Sequence, residues 1–181
     1  MADTRYSKAL IRNINEVVAA TLEWRAVVAF ERAQSKHGWD FFRVAYNSLL
    51  NDMLAHIIRV LDRDEKSASF WYLHRCREKA IDDFVKQQKL DWSVIEEMAR
   101  KLKDLRNKTH FHIDRRAVLD PPKVWREADI RGPQLARCLE VLELILQFLY
   151  TRDHDFPFDV PSYDGKDVKP IIDAARMAGV I

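Results

Sequence analysis

Residues Ser93 to Arg116 read SVIEEMARKLKDLRNKTHFHIDRR. In the first half, Val94, Ile95, Met98, Leu102 and Leu105 step by three or four, the spacing of one apolar helix face. Lys101, Lys103 and Asp104 are then directed elsewhere. Ser93 and Glu96 have the S-x-x-E arrangement of a capping box, in which each side chain satisfies a free backbone amide at the helix start. The second half has a different character: an arginine, two histidines, an amide and a carboxylate fall between Arg106 and Asp114. From Lys101 to Arg116 there are six Lys or Arg against two Asp, a local charge of +4 in a protein whose whole excess is +2. That contrast points to a local anionic partner.

Outward from this stretch the chain reads as helical scaffold. Leu10, Ile14, Val17, Val18, Trp24 and Val28 predict a long first helix over about Ser7 to Ser35, with Gly38 suited to a left-handed helix end. A second helix is expected from about Asp40 to Leu61. Its apolar residues cover more than one narrow stripe, which makes it the expected centre of the core. The charged turn Asp62 to Ser69 ends in serines suited to capping a third helix, with a break expected near Cys76. Asp120-Pro121-Pro122 stops helical continuation. Pro133 suits a first helical turn, and Leu135, Leu139, Leu142, Ile145, Leu146 and Leu149 predict a fifth helix that closes the bundle. After Tyr150 two prolines, a glycine and five aspartates read as an irregular strap, with a last short helix over Pro170 to Ala178. The expected organisation is an all-α antiparallel bundle of about five helices over residues 1–150, with 151–181 as a strap and short helix packed on the same domain.

Of the 181 residues 48% are hydrophobic and 32% charged, with four glycines and six prolines, the balance of a folded helical chain. No run reaches the length of a membrane span, and the opening MADTRYSKAL lacks the apolar core of a signal peptide, so the expected compartment is the cytoplasm and no membrane partner is expected. Cys76 and Cys138 form no CxxC pair and are expected to be ordinary packing residues. Phosphate-loop, dinucleotide, zinc-protease and serine-hydrolase motifs are absent, which removes the usual support for those chemistries.

On an ideal helix Arg106 and His110 lie about 40° apart around the axis and share a face, whereas His112 points away. If the helix loosens after Asn107, His112 swings toward Arg106; the spacing alone does not choose between the two histidines. A guanidinium beside an imidazole on a basic helix end suits a phosphodiester, because arginine neutralises phosphate charge and imidazole moves a proton near pH 7. The structural reading beside it is that such residues satisfy carbonyls and complement the helix dipole. His110, His112 and Asp114 alternate as H-x-H-x-D, which on a strand would align three metal ligands. The surrounding pattern is helical and no cysteine is near, so no metal and no other cofactor is expected there.

The run Arg106-Asn107-Lys108-Thr109-His110-Phe111-His112, with His112 after five intervening residues and Asp114 beyond it, resembles the motif of the HEPN superfamily of all-helical domains. That motif is an arginine, usually followed by a polar residue, then a histidine after a gap of four to six. The R-N-K-x-x-x-H-x-D form is similar to the abortive-infection U-type branch. A second stretch, VLDRDEKSASFWYL from Val60 to Leu73, is similar to the same branch, which tends to place an aspartate-arginine turn before a serine-aromatic helix start. His110, after three intervening residues, falls outside the family gap.

The resemblance implies a HEPN-like helical bundle and a metal-independent endoribonuclease, a toxin or abortive-infection component active as a homodimer whose two motifs face one another. It implies that Arg106 holds the scissile phosphate, His112 moves the proton and Asn107 orients one of them. Lys101, Lys103, Lys108, Arg115 and Arg116 are the expected RNA-binding residues, with His110 and Asp114 as possible auxiliaries. The expected partners are RNA, a second copy of the chain and an antitoxin protein. Other members of the family have lost cleavage and act as dimerisation modules that bind RNA, a nucleotide or a nucleotidyltransferase-like partner. Trp125, just past the motif, and Asp62 and Arg63, in the second family-like stretch, are expected to be structural.

Overall fold

A computed structural model of the protein describes residues 4–33, 40–106, 126–154 and 163–179. Six helices organise them: α1 (Thr4–Ala33), α2 (Asp40–Val60), α3 (Phe70–Gln87), α4 (Ser93–Leu105), α5 (Gly132–Asp153) and α6 (Val168–Met177). A further helical turn covers 126–128, and no strand occurs among the described residues. The all-helical expectation holds, with boundaries within a few residues of the sequence reading. Gly38 and the Asp120-Pro121-Pro122 stop lie outside the described residues, as does residue 125.

Cross-contacts fix the directions of the helices. Glu31 meets Tyr46 while Glu16 meets His56 and Arg59, so α1 and α2 form an antiparallel hairpin. Tyr6 meets Asp153 and Trp24 meets Gly132, so α5 also runs antiparallel to α1. Phe84 stacks on Phe148 at 4.2 Å, and Arg77 reaches Asp153, which sets α3 against α5 in the same sense.

α5 and the C-terminal half of α2 share one core, to which α2 contributes Met53, Leu54, Ile57, Ile58 and Val60. Leu135, Cys138, Leu139, Val141, Leu142, Ile145, Leu146 and Leu149 are all buried, and α5 packs against α1, α3 and α4. From Arg43 onward in α2 the first buried residue is Met53, and Val44 is exposed. Gly132 lets α5 start close to α1, because a Cβ on it would lie 2.9 Å from the Trp24 ring.

Two local expectations are corrected. The Ser93–Glu96 capping box does not form: Asp91 Oδ1 instead accepts from the Ser93 amide at 3.1 Å and the Ser93 hydroxyl at 2.6 Å. Asp91 thereby takes the Ser93 amide that the Glu96 carboxylate would accept in the box, and draws the Ser93 hydroxyl into use as a donor. Cys76 is exposed, whereas Cys138 is buried and its thiol is pushed up to about 12 by that burial. The expected break in α3 is real and falls at Arg77, whose backbone leaves helical geometry at φ −136° and ψ 27°. That kink carries its guanidinium over the Tyr6 ring, 4.4 Å from the centroid, and within 3.3 Å of Asp153.

At the far end of α1, Val168 and Ile172 of α6 pack on Ala33 beside Ala29 and Phe30, forming a second, small apolar cluster. Gly165 approaches Ala29 so closely, with φ at +70°, that a side chain would fit neither the space nor the backbone. None of the described helices is long and apolar enough to cross a membrane.

Candidate functional site

The amphipathic stripe of α4 buries Ile95, Met98, Leu102 and Leu105, so the helix is anchored up to its last turn. Arg106 follows at the C-cap with helical backbone angles, its amide still bonded to the Leu102 carbonyl. The rigid helix aims the guanidinium at the turn that leaves α2. There Arg106 Nη1 donates to Asp62 Oδ1 at 2.8 Å, both side chains being partly exposed. The ion pair thus joins the two stretches singled out in the sequence, 44 residues apart.

Around this pair lies a cavity of about 260 Å³. Ile58, Leu61, Ala99 and Leu102 form its apolar lining, and Asp62, Arg63, Asp64, Lys103 and Arg106 its charged lining. Arg63 is held by stacking, its guanidinium carbon 4.2 Å from the centroid of the Trp71 ring. Trp71 is fixed in turn by its indole N–H, which donates to the Leu61 carbonyl at 3.0 Å. Lys103 is exposed and makes no ion pair among the described residues. Three cations and two carboxylates therefore share one cleft, with only one Arg106 N–H group committed to Asp62 among the described residues. Such a cleft matches an anionic ligand with an apolar or aromatic portion.

Asp62 and Arg63, read from the sequence as bracing residues, are cleft residues. Lys101 moves the other way. It was expected on an RNA-binding face but is buried, because it falls three residues after Met98 on the flank of the apolar stripe. Its ammonium donates to the Asp129 carbonyl at 2.6 Å and to Gln134 Oε1 at 3.0 Å, and pairs with Glu97 at 3.0 Å. Asp129 takes a left-handed conformation, φ 44°, at this turn into α5. Lys101 is thereby a structural tie between α4 and the start of α5, and its charge is spent internally. Asn107, Lys108, His110, His112, Asp114, Arg115 and Arg116 lie outside the described residues.

A second polar cluster, with no counterpart in the sequence reading, sits between α1 and α2. Glu16 Oε2 lies 2.7 Å from both His56 Nδ1 and Arg59 Nε, while His56 Nε2 faces Glu23 at 3.7 Å and Asp52 at 3.9 Å. The signal was present as Asp52 and His56 one helical turn apart and Glu16 and Glu23 two turns apart. Comparisons with protein-family models, with curated proteins and with solved structures find no match. The fold and cleft therefore define the class from within: an all-helical protein with a cation-bearing cleft at the end of α4.

Proposed function

We propose that the protein is a metal-independent endoribonuclease of the HEPN type, acting in defence or as a toxin, with Arg106 as the phosphate-binding residue. The observation that carries this reading is the Arg106–Asp62 pair inside a cleft that also holds Arg63 and Lys103. Chemically, the ribose 2′-hydroxyl attacks the neighbouring phosphorus. The new O–P bond closes a cyclic phosphate as the bond to the 5′-oxygen breaks. His112 takes the hydroxyl proton, an acid returns a proton to the leaving oxygen, and Arg106 stabilises the charge on the non-bridging oxygens. Asn107 orients one of these groups. Arg63, exposed to the same cleft, adds a second cation for a flanking phosphate.

The same pair also favours a second reading, a noncatalytic HEPN module that binds RNA or a nucleotide, because a guanidinium already neutralised by Asp62 has less charge to offer a transition state. Incubation of purified protein with a single-stranded RNA ladder separates the two. Cleavage products ending in a cyclic phosphate, lost in Arg106→Ala, support the nuclease; RNA retained intact by the wild type supports the binding module.

A further inference from the structure

The hairpin of α1 and α2 holds a set of donors that the proposed nuclease does not use. Glu23, Asp52 and His56 each offer one ligand atom, and these atoms lie within 4.8 Å of one another. We propose that Glu23, Asp52 and His56 bind one divalent transition ion, zinc by preference, which clamps α1 to α2. Glu23 and His56 come from different helices, so the ion would cross-link them as metal sites in helical bundles do.

Three features carry the assignment. Glu23 Oε2 is shut off from water with no hydrogen-bond partner among the described residues, while Oε1 of the same carboxylate faces His56 Nε2, so a cation held by this carboxylate would offset the cost of its burial. His56 is oriented from behind by Glu16, 2.7 Å from Nδ1. A carboxylate on one ring nitrogen fixes the tautomer that turns the lone pair of the other toward a metal. Arg59 Nη2 also lies 2.7 Å from Nδ1 and can only donate, so it competes with Glu16 for that nitrogen; metal binding at Nε2 requires Nδ1–H on Glu16, with Arg59 held through its Nε on the same carboxylate oxygen. A dication would then meet two carboxylates and a neutral imidazole without net excess. The distances from His56 Nε2, 3.7 Å to Glu23 and 3.9 Å to Asp52, exceed by a few tenths of an ångström the ~3.4 Å edge of a tetrahedron with ~2.1 Å bonds. A water completes the fourth position.

The full, tag-free chain, stripped with chelator and titrated with zinc by calorimetry, should bind one ion and melt several degrees higher. Cobalt in the same position should give the visible bands of a four-coordinate site. Glu23→Gln and His56→Ala should each abolish binding, and Glu16→Gln should weaken it about tenfold or more. Asp82→Asn, which alters the exposed His74 pair, should leave binding intact. Retention of binding when His110 and His112 are both replaced by alanine would exclude the other histidine-rich stretch. The assignment is overturned by absence of saturable binding, by binding that survives a Glu23→Gln/His56→Ala double variant, or by loss of binding in the His110/His112 variant. If His56→Ala does not fold, Glu23→Gln decides, since it keeps the side chain's shape. A wild type indifferent to zinc, together with a Glu23→Gln form more stable than it, would mean the carboxyls share a proton instead.

Discussion

Asp62 Oδ1 accepts a hydrogen bond from Arg106 Nη1 at 2.8 Å, so the arginine proposed to grip phosphate rests against a carboxylate. A phosphate entering the cleft competes with that carboxylate for the same guanidinium. Asp62→Asn should therefore tighten binding of a short single-stranded RNA about fivefold at low salt, the equivalent of about 1 kcal/mol for a partly exposed pair. Fluorescence anisotropy measures it. Weaker binding in Asp62→Asn would instead make Asp62 the group that aims Arg106.

Arg106→Ala and His112→Ala should each lower cleavage at least a hundredfold while leaving helical content and melting temperature close to wild type. His110→Ala should cost less than tenfold, because the family gap selects His112. Initial rates on a fluorogenic RNA, with circular dichroism on the same samples, give both quantities. If His110→Ala proves the more damaging, the proton-transfer role moves to His110.

Helix order and the end of α4 were legible because their signals are local: apolar residues at three and four, and proline near a helix start. What was not legible depends on tertiary neighbours. Lys101 looked like any basic surface residue until Asp129 and Gln134 were folded over it. Asp62 looked like a cap until the end of α4 met the turn after α2. Glu16, Glu23, Asp52 and His56 carry a helical spacing on each of two helices, but only the hairpin register brings the two sets together.

Lys101 and Lys103 are two residues apart and should respond in opposite ways. Lys101→Met keeps the aliphatic stem but strips three oxygen atoms of a buried donor, and should cost about 2–4 kcal/mol of stability. Lys103→Ala should leave stability within about 0.5 kcal/mol and weaken RNA binding, reducing its salt dependence. Urea denaturation read beside anisotropy at several salt concentrations separates the pair. Equal stability losses would place Lys103 in the scaffold as well.

Chelator should not stop cleavage. The proposed clamp between α1 and α2 contributes stability, whereas the chemistry at Arg106 and His112 needs a cation side chain and a proton carrier. In EDTA at a temperature well below melting, the rate should stay within about twofold of its value with zinc, while the melting temperature falls. Rates that vanish in EDTA and return with one defined metal, in a chain still folded, would contradict the metal-independent mechanism.

One cleft supplies Arg106, Arg63 and Lys103 beside two carboxylates, a modest charge for holding a polyanion through two proton transfers. A two-fold pair that sets the two ends of α4 against each other would double the guanidinium and imidazole supply, and would gather Lys108, Arg115 and Arg116 of both copies into one groove. Like charges then face each other across the axis, so Asp62 and Asp64, already in the cleft, would offset part of the repulsion. Such a dimer should tighten when RNA or phosphate neutralises the groove, and RNA affinity should fall steeply with salt. Light scattering at micromolar concentration should report two chains per particle. Mixing Arg106→Ala with His112→Ala subunits should restore part of the cleavage if each RNA is cut by groups from both copies. A monomer with full activity, or a mixture no more active than its parts, would show that each cleft works alone.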